Sequence, residues 1–258
     1  MLRCYQAWPL KTGACYLWYW RPDSLASALS EQGLAFLSDD EIARYRRFVV
    51  PEPARTFLAA RVLLRSVLSA YCPVDPREWR FAANPWGRPY IVSPEPSRQL
   101  VFNLSDKPGF IACLVGWNRE LGVDVEDASV PRNHWLPVAQ RFFSSSEFAG
   151  LQELEPGRQL NRFYQLWTLK ESYVKARGRG LSLGLSRFSF SVAEDTATIR
   201  FEPGFEDDPE PWDFRFFRPT ARHLIATAVK RPAGTQVSIE MADATRIVAA
   251  RLSRPPLI

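Results

Sequence analysis

Four cysteines and two histidines are a small stock for a chain of 258 residues. Cys4, Cys15, Cys72 and Cys113 form no C-x-x-C pair, so they are expected to be reduced packing residues of a cytoplasmic protein. His134 and His223 stand apart from any motif, and both are expected to be structural or surface residues. No stretch approaches the roughly 20 apolar residues of a membrane span. The opening MLRCYQAWPLKTGACYLWYW lacks a clean apolar run followed by small residues, so no secretory leader is expected. There is no lysine-rich tail either; arginines are spread along the chain, which weakens a nucleic-acid reading.

Apolar residues are plentiful. Hydrophobic residues make up 46% and aromatics 13%, enough for one large domain or two small ones. The formal charge of +5 suits a polyanionic partner: nucleic acid, a phosphorylated cofactor or an acidic protein. Charge alone does not choose among them. The aromatics sit in apolar stripes and do not alternate with basic residues, so a nucleic-acid-binding module ranks last.

The chain compares with itself. At an offset of 106, SDDE (38–41) meets SSSE (144–147), Phe57 meets Phe163, Leu63 meets Leu169 and Ser66 meets Ser172. Both tetrapeptides read as capping boxes, with Ser at the N-cap and Glu three residues on. The same offset lays LWYW (17–20) on VDVE (123–126). At an offset of 114, GFIACLVGWNRELGVDVE (109–126) meets HLIATAVKRPAGTQVSIE (223–240) without a gap. Several matches in one order favour two copies of one α+β unit. Each copy reads strand, capped helix, longer helix, then strands. The boundary falls in GWNRE (116–120), giving halves of 1–118 and 119–258.

Within that plan the patterning predicts strands at 14–20, 100–104, 110–115 and 121–126, and helices at 39–47, 54–71 and 160–176. NPWGRP (84–89) reads as a loop. The acidic, proline-rich EPGFEDDPEPW (202–212) reads as exposed, and SRPPLI as a frayed tail.

Two segments carry chemistry. In LGVDVE, Asp124 and Glu126 are two residues apart on a strand, so they share one face while Val123 and Val125 take the other. Adjacent carboxylates repel unless a cation lies between them, and a hard ion such as Mg2+ accepts their oxygens. Taken alone, such a pair is a weak signal, since most are the wet face of an edge strand. In the second copy Ser238 stands where Asp124 does, so only the first copy could be a metal pair. LWTLKESYVKARGRGL (166–181) is amphipathic, with Phe163, Leu166, Trp167, Leu169, Tyr173 and Val174 on one arc. Lys170 falls within that arc, Glu171 at its rim and Lys175 one turn on. Glu171 could be a third oxygen ligand, and the lysines could meet phosphate charge. The alternative is a surface Glu171–Lys175 pair worth about 0.3–0.5 kcal/mol, with Lys170 snorkelling outward.

The combination of LGVDVE and, about forty residues on, LWTLKESYVKARGRGL resembles the signature segments of the Sfp-type 4'-phosphopantetheinyl transferases. Their patterns are roughly G-[IV]-D-[IVL]-E and W-x-x-K-E-[AS]-x-x-K-x-x-G-x-G-L. RRFVVPEPARTFLAARVLLRS (46–66), NPWGRPYI, VFNLS and AQRFFSSSEF are similar to further segments of the family. The resemblance covers residues 14 to 190.

It implies two pseudosymmetric α+β halves with the active site in the cleft between them. The implied reaction transfers the phosphopantetheine arm of coenzyme A to a serine of an acyl or peptidyl carrier protein and releases adenosine 3',5'-bisphosphate. Such carriers serve fatty acid, polyketide, nonribosomal peptide or siderophore synthesis. The resemblance gives Mg2+ to Asp124, Glu126 and Glu171. It makes Glu171 the acceptor of the serine proton and Lys175 the neutraliser of pyrophosphate charge; Lys170 belongs to the signature. Arg88 with Pro89, Arg55 and Arg44 would hold the adenosine and 3'-phosphate end, and Ser105 would line the phosphate site. Trp167 would be a packing anchor. Lys170, Glu171 and Lys175 are all expected to face the cleft. The family reads F-N-x-S-H-[ST] where this chain reads FNLSDK, so Asp106 takes the place of a histidine beside the pyrophosphate. A coenzyme A- or carrier-binding protein with reduced turnover is the alternative this departure raises. The carrier is expected to be acidic, and the internal doubling implies a monomer.

Overall fold

Aromatic residues crowd ACYLWYW, and such side chains favour a pleated, buried strand. The computed structural model, which describes residues 11, 13–94, 100–130, 133–232 and 234–253, places strand β1 there (Ala14–Trp20). The chain continues through α1 (Ala26–Gln32), α2 (Asp39–Tyr45) and α3 (Pro51–Tyr71). The hairpin β2 (Arg80–Ala83) and β3 (Pro89–Ser93) follows, then β4 (Leu100–Lys107) and β5 (Phe110–Trp117). Next come β6 (Leu121–Asp127), α4 (Trp135–Phe142), α5 (Ser145–Gln152) and α6 (Pro156–Arg177). Strands β7 (Phe188–Val192), β8 (Thr196–Phe201), β9 (Trp212–Phe217) and β10 (His223–Lys230) lead to β11 (Ser238–Asp243) and α7 (Thr245–Leu252).

These elements fall into two units. The first comprises residues 1–83, 89–118 and 238–258; the second comprises 84–88 and 119–237. In the first, strands run in the order β11-β1-β5-β4; in the second, β6-β10-β9-β8-β7. Tyr16, Trp18 and Trp20 of β1 join Leu63, Leu64, Val67 and Leu68 of α3 in one apolar cluster. In the second unit, Phe163, Leu166, Leu169 and Tyr173 of α6 pack with Leu224, Ala226 and Ala228 of β10. The architecture is α+β, with one long helix against one sheet in each unit.

The doubling has matching local chemistry. Ser38 and Ser144 both cap their helices in full capping boxes, with Glu41 and Glu147 reaching back to the cap N–H. Such a cap stabilises a helix by about 1 kcal/mol. Each glutamate then takes a buried cation from the following long helix. Arg65 Nη2 donates to Glu41 at 2.6 Å, while its Nη1 donates to the carbonyls of Pro76 and Trp79. Lys170 Nζ meets Glu147 at 2.8 Å and donates to the carbonyls of Leu185 and Phe188. In both units a carboxylate and two backbone oxygens replace the water that the cation gives up. The first strands correspond too: β1 pairs antiparallel with β5, and β6 with β10.

Three features differ from the sequence expectation. Helix α3 starts at Pro51 and α6 at Pro156, because proline suits a first helical turn whose N–H groups have no intrahelical partner. Residues 238–253 do not stay with the second half: β11 adds parallel to β1, so they count with the first unit. The acidic segment 202–212 is not wholly exposed, since the Asp207 side chain is 5% exposed and accepts a 2.6 Å hydrogen bond from the Tyr173 hydroxyl. Cys72 and Cys113 are free thiols and Cys15 is buried; Cys4 and the end of SRPPLI lie outside the described residues.

Candidate active site

Close backbone approach sets the site in the second unit. A Cβ built on Gly122 of β6 would lie 2.0 Å from the Ser172 carbonyl oxygen and 2.5 Å from the Ala176 nitrogen, both on α6. Only a residue without a side chain lets strand and helix meet so closely. Residues two apart share a strand face, so Asp124 and Glu126 lie on the same α6-facing side as Gly122. Their cross-strand neighbours on β10, Ala226 and Leu224, belong to the α6 cluster. Val123 and Val125 take the other face, fully buried.

Both carboxylates are buried, Asp124 at 5% and Glu126 at 4% exposure. This excludes the wet edge-strand alternative. From α6, Lys175 Nζ donates to Asp124 Oδ1 at 2.7 Å, and half-buried Glu171 sits one turn before it. The signature therefore places an oxygen-donor pair on a rigid strand with an ammonium group against it. Among the described residues, no group of three or more His, Cys, Asp or Glu is arranged to hold a metal ion. Hard oxygen donors still fit Mg2+, which keeps several waters and binds through one or two carboxylates plus substrate phosphates.

Lys170 requires a correction. It does not face a ligand with Glu171 and Lys175; its side chain is 0% exposed and ion-paired to Glu147. The Phe188 ring lies 4.5 Å from Nζ. Burial pulls its pKa below the usual lysine value, and the Glu147 carboxylate opposes that shift. Three acceptors inside the core make this position preferable to snorkelling. Trp167 packs its ring against Phe142 and Phe163.

The residues expected at the nucleotide end separate. In the first unit a cavity of about 430 Å³ is lined by Arg44, Phe57, Arg61, Pro89, Leu104 and Asp106, among others. Arg44 and Arg61 both pack on the Phe57 ring, 5.0 and 5.1 Å from its centroid. Burial lowers the Arg61 pKa, with Arg44 and Arg65 adding to the shift and Glu41 and Asp106 opposing it. Asp106 thus shares its pocket with two guanidinium groups. Arg61 escaped the sequence reading, although its position one turn after Phe57 was a signal. Ser105 is buried on the opposite face of β4 from Leu104 and Asp106. Arg55 stands at the surface, paired with Asp23. Arg88 gives Nη1 to the Ala176 carbonyl and Nη2 to the Leu121 carbonyl, both part of the protein's own backbone.

Neither histidine enters the site. His223 is buried with Nδ1 2.8 Å from the Thr220 hydroxyl, and exposed His134 precedes α4.

Two family models match this chain. One, described as the 4'-phosphopantetheinyl transferase superfamily, covers residues 120–228. The other, 4'-phosphopantetheinyl transferase, N-terminal, covers residues 19–116. The 4'-phosphopantetheinyl transferase HetI of Nostoc sp. is 35% identical over 65% of this chain and 70% of its own length. A 4'-phosphopantetheinyl transferase of Bacillus subtilis is 30% identical over 81% of this chain and 88% of its own. The 4'-phosphopantetheinyl transferase Sfp of Bacillus subtilis strain 168 is 33% identical over 66% and 73%. With its signature glycine, carboxylates and lysine brought together on β6 and α6, the chain belongs to the 4'-phosphopantetheinyl transferase superfamily.

Proposed function

We propose that this enzyme transfers the 4'-phosphopantetheine arm of coenzyme A, in the presence of Mg2+, to a serine of an acidic acyl or peptidyl carrier protein. The observation that carries this reading is the buried Asp124–Glu126 pair with Lys175 Nζ 2.7 Å from Asp124. Asp124, Glu126 and Glu171 would hold Mg2+, which when bound neutralises diphosphate charge. Lys175 keeps the Asp124 carboxylate in place and presents further N–H donors to a diphosphate oxygen. The serine oxygen attacks the phosphorus that bears the pantetheine arm. The bond from that phosphorus to the bridging oxygen breaks, and adenosine 3',5'-bisphosphate leaves with the electron pair. Glu171 takes the serine proton, directly or through water.

The cavity flanked by Arg44 and Arg61 is assigned to the adenosine and 3'-phosphate end. Two guanidiniums and an aromatic face suit a phosphorylated nucleoside. Asp106 in that same cavity favours one second reading, a protein that binds coenzyme A with reduced turnover. The formal charge of +5 supports electrostatic steering of an acidic carrier. Among the described residues no helix is long and apolar enough to cross a membrane. This reading implies a cytoplasmic monomer, the compartment that holds coenzyme A.

Mass measurement of apo-carrier proteins incubated with coenzyme A, Mg2+ and enzyme tests the proposal. Gain of the pantetheine arm is expected, and binding without mass gain supports the second reading. Asp124→Ala and Glu171→Ala should abolish the gain while leaving the circular dichroism spectrum unchanged. Undiminished transfer by either variant refutes the site assignment.

A further inference from the structure

The turn Asn84–Arg88 is built to hold backbone oxygens. Asn84 Oδ1 accepts from the N–H groups of Trp86 and Arg88, at 3.0 and 2.9 Å. The Asn84 N–H donates to the Arg88 carbonyl at 2.9 Å. Gly87 supplies the positive φ (+85°) that closes the turn. The turn then directs outward donors at the signature elements. Asn84 Nδ2 donates to the Gly178 carbonyl at 2.7 Å. Arg88 Nη1 donates to the Ala176 carbonyl, and Nη2 to the Leu121 carbonyl at 3.1 Å.

Position gives these bonds their meaning. Ala176 is in the last turn of α6 and Gly178 just beyond it, where helix carbonyls lack intrahelical partners. Leu121 opens β6, three residues before Asp124. One guanidinium therefore joins the end of the helix that carries Lys175 to the start of the strand that carries Asp124. Arginine's planar fork can span two carbonyls in fixed geometry, which a lysine point charge cannot. Gly178 completes the fit: it has φ +62°, and a Cβ there would lie 2.7 Å from Arg88 Cδ.

We propose that Arg88, aided by Asn84, is a positioning residue that sets Lys175 against Asp124, and not a ligand for the phosphates of coenzyme A. The proposal rests on the assignment of Lys175 and Asp124 to the reacting centre. A misplacement of about 1 Å at such a centre costs on the order of 100-fold in rate, so a backbone clamp one residue from Lys175 acts where small shifts matter.

The test uses the full chain and an apo-carrier protein that it modifies. For wild type, Arg88→Gln, Arg88→Lys and Asn84→Ala, kcat and KM are measured with coenzyme A and with its analogue lacking the 3'-phosphate. Amide hydrogen exchange is read across residues 121–124 and 174–178. In Arg88→Gln we expect kcat to fall roughly 10- to 100-fold with both substrates, KM for coenzyme A to stay within about twofold, and exchange to quicken at 176–178. Arg88→Lys should not rescue kcat, and Asn84→Ala should change kcat and exchange in the same direction. Arg88→Lys and Asn84→Ala carry the test should Arg88→Gln fail to fold. A rise in KM that appears with coenzyme A and vanishes with the 3'-dephospho analogue makes Arg88 a phosphate ligand and overturns the proposal. Unchanged kcat and exchange in Arg88→Gln do the same. Lys175→Ala is run in parallel: full activity there removes the assignment of Lys175, whereas the Arg88 exchange result still reports the clamp.

Discussion

Gly122 of β6 faces the backbone of Ser172 on α6 so closely that a Cβ at residue 122 would sit 2.0 Å from the Ser172 carbonyl oxygen. Backbone cannot move aside as the end of a flexible side chain can. The signature glycine is thus a spacing device: it sets how near Asp124, two residues on, comes to Lys175. Gly122→Ala should push α6 away from β6. Overpacking of this kind costs about 1–3 kcal/mol, and the displaced lysine should lower transfer roughly 100-fold. Urea denaturation and carrier mass gain, measured together, check both effects. A variant with wild-type stability and rate would show that the contact is not under constraint.

Asp106 shares the cavity with Arg44 and Arg61, so its charge competes with any phosphate drawn to those guanidiniums. Removing one unit charge at a solvent-accessible contact is worth about 1 kcal/mol, or roughly fivefold in an equilibrium constant. Asp106→Asn should lower the KM for coenzyme A by about that factor, and the gain should shrink as salt rises. Arg61→Met should raise KM instead. Steady-state kinetics at two ionic strengths read both. No change in either variant would take the nucleotide end out of this cavity.

Much of this was legible in the chain because the informative signals are local. The capping boxes at Ser38 and Ser144 need only four residues each, and the offset between them announced two related units. Asp124 and Glu126 were legible as a same-face pair because strand periodicity is two. What escaped depends on partners far along the chain. Lys170 finds its acceptors at Glu147, Leu185 and Phe188, and no helical wheel contains those atoms. Strand β11 pairs with β1 across more than two hundred residues, whereas hydrophobic pattern encodes a face and not a neighbour. Asp207 lies in an acidic, proline-rich stretch that reads as solvated, yet the Tyr173 hydroxyl turns it inward.

Asp127 ends β6 and supplies an acid-sensitive bond. Burial raises its pKa, but hydrogen bonds from Arg222 and Ser129 outweigh that and hold it at about 2. A carboxylate with a depressed folded-state pKa stabilises the fold above its unfolded value, near 3.9. That contribution is lost as pH falls through the folded value. Stability should therefore decline between about pH 4 and pH 2, with Asp127 responsible for part of the slope. Asp127→Asn should flatten the decline in thermal melts taken across that window. An unaltered slope would assign the acid sensitivity to other carboxylates.

The buried Lys170–Glu147 pair tests whether the signature lysine serves the fold or the ligand. Glu147 is committed four ways: Oε2 accepts from the Ser144 N–H and hydroxyl and meets Lys170 Nζ, and Oε1 accepts from the Phe190 N–H. Removing one partner of such a pair leaves a desolvated charge and costs about 3–5 kcal/mol, whereas removing both costs far less than the sum. Lys170→Met and Glu147→Gln should each lower the urea midpoint sharply, and the double variant should fall well short of additivity. Folded protein recovered from Lys170→Met at low temperature should retain the wild-type KM for coenzyme A, because Nζ points at protein acceptors. A selective rise in KM with unchanged stability would return Lys170 to the ligand. That result would require its three core acceptors to be satisfied by something else, for which the packing around Phe188, 4.5 Å from Nζ, leaves little room.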